Sequence, residues 1–221
     1  MELIEYNQLI SQGMNPMRIS RQVAKGELGN CGYGFYSVKP NVLAFECDST
    51  MNHINEILDS FTVPPERVVF SSISLNFAIN QLISGTTYLI EVEKDYAEAV
   101  FLALKDEFDG VVLLKPSAVE KTNYWKPGAI YVVDLFSRSP TNKDGTIPIE
   151  KLIVDLLFNE DMYGLFTSRD VDQAVPWLLK EYQVNYRTLF AYASRKGKHD
   201  ALFHIAEPYI PNPIKALFRN S

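Results

Sequence analysis

Thr87-Tyr88-Leu89-Ile90-Glu91-Val92-Glu93 is a short run rich in β-branched and aromatic residues. Its alternation puts Leu89, Glu91 and Glu93 on one face and Ile90 and Val92 on the other. Upstream, Arg67-Val68-Val69-Phe70-Ser71 reads as a strand, followed by a helix over 74–83 with Leu75, Ala78, Ile79 and Leu82 on one side. Downstream, Asp95 is placed to cap a helix that carries Ala99, Val100, Leu102 and Ala103 and ends near Lys105. Val111 to Leu114 and Ala129 to Leu135 read as two further strands. Right-handed crossovers need intervening helices, so this alternation predicts a parallel or mixed sheet covered by helices. Pro148 opens a helix over 148–158 bearing Ile149, Leu152, Ile153, Leu156 and Leu157. Helices over 168–181, 185–196 and 199–206 follow, and Pro208, Pro211 and Pro213 then predict an irregular tail.

The first forty residues follow a different pattern. Leu3, Ile4, Leu9 and Ile10 form an apolar face of a helix that Gly13 stops. Asn15 is a cap with Pro16 at the first helical position, and Met17, Ile19, Ser20, Val23 and Ala24 run on to Gly26. Glu27-Leu28, a turn over Gly29-Asn30-Cys31-Gly32-Tyr33-Gly34 and Phe35-Tyr36-Ser37-Val38 then predict a β-hairpin closed by Pro40. Two helices and a glycine hairpin resemble the second half of a winged helix. In such a module the second helix enters the major groove, which makes Arg18, Arg21, Gln22 and Lys25 candidates for phosphates and base edges. The alternative is two amphipathic helices packed on the sheet domain. No room remains before Glu2 for a first helix.

The 221 residues carry 21 Lys and Arg against 27 Asp and Glu, a formal charge of −6, with 47% apolar residues. This is a globular composition, which excludes a basic coat protein, an acidic disordered tail and a collagen-like repeat. Residues 1–40 hold four basic and three acidic groups, 180–221 hold seven and three, and 41–179 hold ten and 21. The balance is therefore +1, +4 and −11. A nearly neutral first segment predicts that DNA binding needs a homodimer or other help, because affinity follows the phosphates neutralised. Val68 to Ile90 is too polar for a bilayer span, and Met-Glu-Leu-Ile-Glu is no secretory signal, so a cytoplasmic protein without membrane contact is expected. Cys31 and Cys47, with His53, His199 and His204, show no zinc-site spacing, so neither a metal nor a cofactor is expected.

Glu91 and Glu93 share a face at the end of a strand, where open α/β sheets often bind ligands. A metal-dependent nuclease would want an Asp on the preceding strand and a Lys where Glu93 stands, so solvated charges are the simpler reading. Arg195, Lys196 and Lys198 lie at a helix C-terminus, where they complement the dipole or dock an acidic partner or a nucleotide phosphate. There is no Gly-Lys-Ser/Thr phosphate loop, Gly-x-Ser-x-Gly elbow, His-Glu-x-x-His or Cys-x-x-Cys, so no catalytic residue is assigned and a binding protein is expected.

Three stretches resemble the AbiEi-like antitoxins of type IV, abortive-infection toxin–antitoxin systems. They are Ile19 to Tyr36, with Lys25-Gly26-Glu27-Leu28 and the glycine hairpin; Gly145 to Leu157; and Val184 to Gly197, with Tyr88 to Lys94 also similar. The resemblance implies a phage-defence antitoxin that represses its own operon and counteracts a nucleotidyltransferase-like toxin. By position, Arg18, Arg21 and Lys25 fall on the recognition helix and Asn30 and Tyr33 on the wing. Arg187, Arg195, Lys196 and Lys198 fall on a surface suited to the partner. Lys151 and Asp155, four apart, are expected to pair structurally.

The expectation is thus an α+β protein: a winged-helix-like module over 1–40 for operator DNA, then a mixed α/β antitoxin domain over 41–221 with helical C-terminal elements. The alternatives are a nuclease-fold enzyme using Glu91 and Glu93, or a scaffold protein.

Overall fold

In the computed structural model, which describes residues 2–79, 85–159 and 165–218, Thr87–Val92 is an inner strand of a four-stranded mixed sheet. Numbered in chain order, β4 is Arg67–Ser71, β5 is Thr87–Val92, β6 is Val112–Leu114 and β7 is Ala129–Asp134. The strand order is β4-β5-β7-β6. β4 is antiparallel to β5, while β5 and β6 run parallel to β7. The fold is α+β, with helices and two sheets.

Helix α3 (Ser49–Asp59) precedes this sheet, α4 (Ala97–Glu107) links β5 to β6, and α5 (Ala118–Tyr124) links β6 to β7. The first crossover steps outward past one strand position and the second steps back. With right-handed connections, that reversal puts the two helices on opposite faces. Accordingly, Val100 and Leu104 of α4 pack with Met51, Ile54 and Leu58 of α3 over Ile90, Val92, Ile130 and Val132. The Lys121 ammonium of α5 lies over the ring of Tyr131, which points the other way. Helix α6 (Ile149–Phe158), which begins directly after Pro148, covers the face that carries Glu91 and buries Leu152, Ile153, Val154 and Leu156. Each fully buried aliphatic side chain contributes roughly 1.5–3 kcal/mol to folding.

The second sheet is smaller. Leu3–Glu5 (β1), Leu28–Gly32 (β2) and Phe35–Val38 (β3) form an antiparallel sheet of order β1-β3-β2, and α1 (Tyr6–Ser11) and α2 (Pro16–Ala24) lie between β1 and β2. Leu9, Ile19 and Leu28 form its core with Ile4, Val23 and Tyr36. The tight β2–β3 turn is Tyr33-Gly34, both at positive φ, as a two-residue hairpin turn of this hand requires.

Beyond α6 come α7 (Ser168–Glu181), α8 (Tyr186–Arg195) and α9 (His199–Ala206). The chain divides into two compact units, one of Met1–Ala44 with Val175–Ser221 and the other of Phe45–Ala174. This differs from a single boundary near residue 40, because α8 packs on β2. Gln183 reaches the same sheet face, where it accepts a hydrogen bond from Ser37 and donates to Cys31 Sγ at 3.4 Å. No helix among the described residues is long and apolar enough to cross a membrane.

Several local expectations change. Leu3 and Ile4 lie in a strand, not in the first helix, because Leu3 and Ile4 pair with Ser37 and Tyr36. The helix expected over 74–83 is a 3-10 turn at Ser72–Leu75 followed by turns, and Leu82 falls outside the described residues. The tail is not irregular throughout: Asn212–Phe218 forms helix α10, with Pro213 in its first turn where a missing N–H costs nothing. α3 and α5 are additional to the expected helices.

Candidate nucleic-acid interface

Asn15 accepts a hydrogen bond from the Arg18 backbone N–H at 2.8 Å and, with Pro16 next, fixes where α2 begins. The start sets which residues face outward. At 100° per residue, Ile19 and Val23 turn into the small core, while Arg18, Arg21 and Lys25 fall within about 60° of one another on the opposite side. All three are exposed, and none has an ion-pair partner among the described residues. The contrast with the acidic unit is direct. There Arg67 is bound to Asp59 at 2.7 Å, Lys115 to Asp134 at 2.7 Å and Lys151 to Glu91 at 2.8 Å. Gln22 lies beside the cationic stripe but is half-buried, and its Oε1 is out of solvent with no hydrogen-bond partner among the described residues.

The hairpin residues have more structural work than a free wing. Asn30 Oδ1 accepts from the Gly32 N–H at 2.9 Å, which stabilises the bulge between Asn30 and Gly32. Tyr33 packs edge-on against Phe218 with ring centroids 5.5 Å apart. Partial burial raises its hydroxyl pKa, and the nearby Arg187 charge pulls it back down. Gly32, at φ +84°, presses on the first turn of α8, so a Cβ there would sit 2.7 Å from the Arg187 backbone nitrogen.

The four basic residues expected at a partner surface do not form one cluster. Arg187 and Arg195 are eight residues apart on α8, about 12 Å along its axis. Arg195 and Lys196 both lie over the buried ring of Tyr192, at 5.7 and 5.1 Å from its centroid. Lys198 is the N-cap of α9. Arg187 instead stands beside Tyr33. Its place at the hairpin has no local sequence signal; only the two small residues of β2, Gly29 and Gly32, mark close approach by another element.

The folded division also changes the charge balance. The unit of residues 1–44 and 175–221 holds eleven Lys and Arg against six Asp and Glu, a net +5, while 45–174 holds ten against 21, a net −11. Both mildly basic segments therefore belong to one unit.

Glu91 and Glu93 do not form an accessible pair. Glu91 is buried under α6 and accepts from Lys151, whereas Glu93 is exposed and its Oε2 accepts from the Glu66 N–H at 3.2 Å. Among the described residues no group of three or more His, Cys, Asp or Glu is placed to hold a metal ion. The cysteines are free. Cys31 is buried, and burial pushes its thiol pKa up.

Fold and surface together define an α+β protein with a basic helix-and-hairpin unit and an acidic mixed-sheet unit. The chain belongs to a family of unknown function, DUF6577, whose sequence profile matches residues 15–211 and so takes in parts of both units. No curated protein matches it significantly.

Proposed function

We propose that this protein is a DNA-binding antitoxin that represses its own operon through the unit formed by residues 1–44 and 175–221. The observation that carries the DNA-binding part is the joining of both basic segments into one unit of net +5. On that unit Arg18, Arg21 and Lys25 lie exposed on one face of α2. Phosphate neutralisation dominates protein–DNA affinity, and a doubly exposed arginine face on the second helix of a helix-turn-helix is suited to it. The order strand, helix, helix, then hairpin supports a winged-helix-like reading of the module. The antitoxin part rests on the resemblance of Ile19 to Tyr36, Gly145 to Leu157 and Val184 to Gly197 to AbiEi-like proteins. It assigns the acidic unit no catalytic role.

The DNA test is retardation of a duplex carrying its own upstream sequence at about 0.15 M salt, where weak non-specific binding fades. Arg18→Ala and Arg21→Ala are each expected to weaken the complex about tenfold or more, and an unchanged shift in both removes the assignment. The antitoxin test is growth rescue on co-expression with a nucleotidyltransferase encoded beside it. Absence of rescue removes that half of the reading and leaves the DNA-binding half standing.

A further inference from the structure

We infer that Arg187, which lies far in sequence from α2, is a second phosphate-contacting point of the DNA-binding unit, at the tip of the β2–β3 hairpin. The inference rests on the DNA-binding reading above and extends it to a residue outside the first 44. Its basis is placement. Gly32 leaves room for nothing between the hairpin and α8: an added Cβ would meet the Arg187 nitrogen at 2.7 Å and both Arg187 Cβ and Asn185 Oδ1 at 2.8 Å. The backbone of Arg187 is therefore held against the hairpin, and its side chain is exposed there beside Tyr33.

No ion-pair partner for Arg187 stands among the described residues, and the first turn of α8 holds no acidic residue. A cation in the first turn opposes the helix macrodipole, so α8 gains no stability from it. Arg195 and Lys196, by contrast, are engaged with Tyr192. The unit that carries Arg187 has a net charge of +5, which fits an anionic polymer. A guanidinium presents a planar fork that matches two phosphate oxygens. Such a contact reads no base. It adds one neutralised phosphate and positions the hairpin on the duplex.

The experiment measures binding of the full chain to two labelled duplexes, its own upstream sequence and a scrambled sequence of the same composition, across about 50–200 mM salt. Arg187→Ala is expected to weaken both duplexes by the same factor, about three- to tenfold at the low-salt end, and to reduce the slope of log K against log salt by about 0.9. Arg187→Lys, which keeps the charge without the fork, is expected to retain the slope. Arg195→Ala is expected to change neither. If Arg18→Ala and Arg21→Ala weaken binding while Arg187→Ala does not, the inference is overturned and the DNA-binding reading stands. If Arg187→Ala weakens only the upstream duplex, the contact is to a base and the phosphate role is overturned. If none of the arginine variants matters, or the chain binds neither duplex, both fall. A far-UV spectrum and melt identical to the parent show that Arg187→Ala is folded, and a melting temperature restored in Arg187→Lys with binding still lost also overturns the inference.

Discussion

The ammonium of Lys151, on α6, lies 2.8 Å from Glu91 Oε2 on β5 and 2.5 Å from Asp155 Oδ2 one turn further along its own helix. All three side chains are almost fully removed from solvent. The pair expected from the spacing of Lys151 and Asp155 is therefore one half of a cluster that fastens α6 to the central sheet. Removing its cation leaves two buried carboxylates facing each other. Lys151→Met is expected to cost about 3–5 kcal/mol in urea unfolding, and converting all three residues to Met, Leu and Leu together is expected to recover most of it. A loss below about 1 kcal/mol in the single variant would mean the cluster does not hold α6.

Gly32 and Gly34 both have positive φ, but only Gly32 is crowded; nothing lies within 4 Å of a Cβ on Gly34. Gly34→Ala is expected to cost the backbone strain alone, about 1 kcal/mol. Gly32→Ala adds the clash with Asn185 and Arg187 and is expected to cost about 2–4 kcal/mol. Equal losses in thermal melts would show that α8 yields freely at the hairpin.

Gln22 presents a buried carbonyl oxygen without a hydrogen-bond partner among the described residues, beside the exposed arginines of α2. A straight apolar side chain of similar length avoids that cost. Gln22→Met is expected to raise stability by up to about 1 kcal/mol while narrowing the preference for the upstream duplex over a scrambled one. Destabilisation, or unaltered discrimination, would mean that Gln22 has no part in reading DNA.

Ser117 and Glu120 form a capping box at the start of α5, with Glu120 Oε2 accepting from the Ser117 N–H at 2.8 Å and from its hydroxyl at 2.7 Å. The backbone hydrogen bond, and then that from the hydroxyl, hold the Glu120 carboxyl below its usual range. A carboxylate lowered on folding adds stability that is present above its unfolded pKa and disappears as pH falls through the folded value. Carboxyl-carbon NMR titration is expected to show a low midpoint for Glu120 that moves up in Ser117→Ala. An unmoved midpoint would leave the Ser117 backbone N–H, which the variant keeps, as the sole cause and remove the hydroxyl's part.

Residues 1–44 contribute three short strands and two short helices, and α8 and Gln183 close one face of their sheet. Produced alone, they are expected to give a disordered far-UV spectrum, since a piece this small buries too little surface. Joined to 175–218 through a flexible linker in place of 45–174, they are expected to melt cooperatively. A folded isolated 1–44 would contradict this.

The strands of the mixed sheet were legible because each is a short, mostly apolar run, rich in β-branched and aromatic residues in β4, β5 and β7. Leu3–Glu5 was not, because three residues acquire strand character only by pairing with Phe35–Ser37, far along the chain. The apolar spacing from Leu75 onward suggested a helix, but Ser72, Ser74 and Asn76 compete for backbone hydrogen bonds and favour turns. Helix α3 was obscured by Asn52, His53 and Asn55, weak helix formers between its buried Met51, Ile54 and Leu58. At the candidate interface, Asn15 and Pro16 made the phase of α2 readable and with it the exposure of Arg18, Arg21 and Lys25. The approach of Arg187 to Gly32 of the hairpin was not readable, since it depends on a tertiary return of the chain.

That return has a consequence in time. The 130 residues from Phe45 to Ala174 leave the ribosome between the two halves of the basic unit. At about 5–20 residues per second, the first half waits on the order of 10 s before its partner segment exists. The acidic unit is thus the first to be completed in every nascent chain, and a chain that stops short of α8 carries Arg18, Arg21 and Lys25 on a module that has not closed. If the basic unit binds DNA as proposed, only finished molecules would do so.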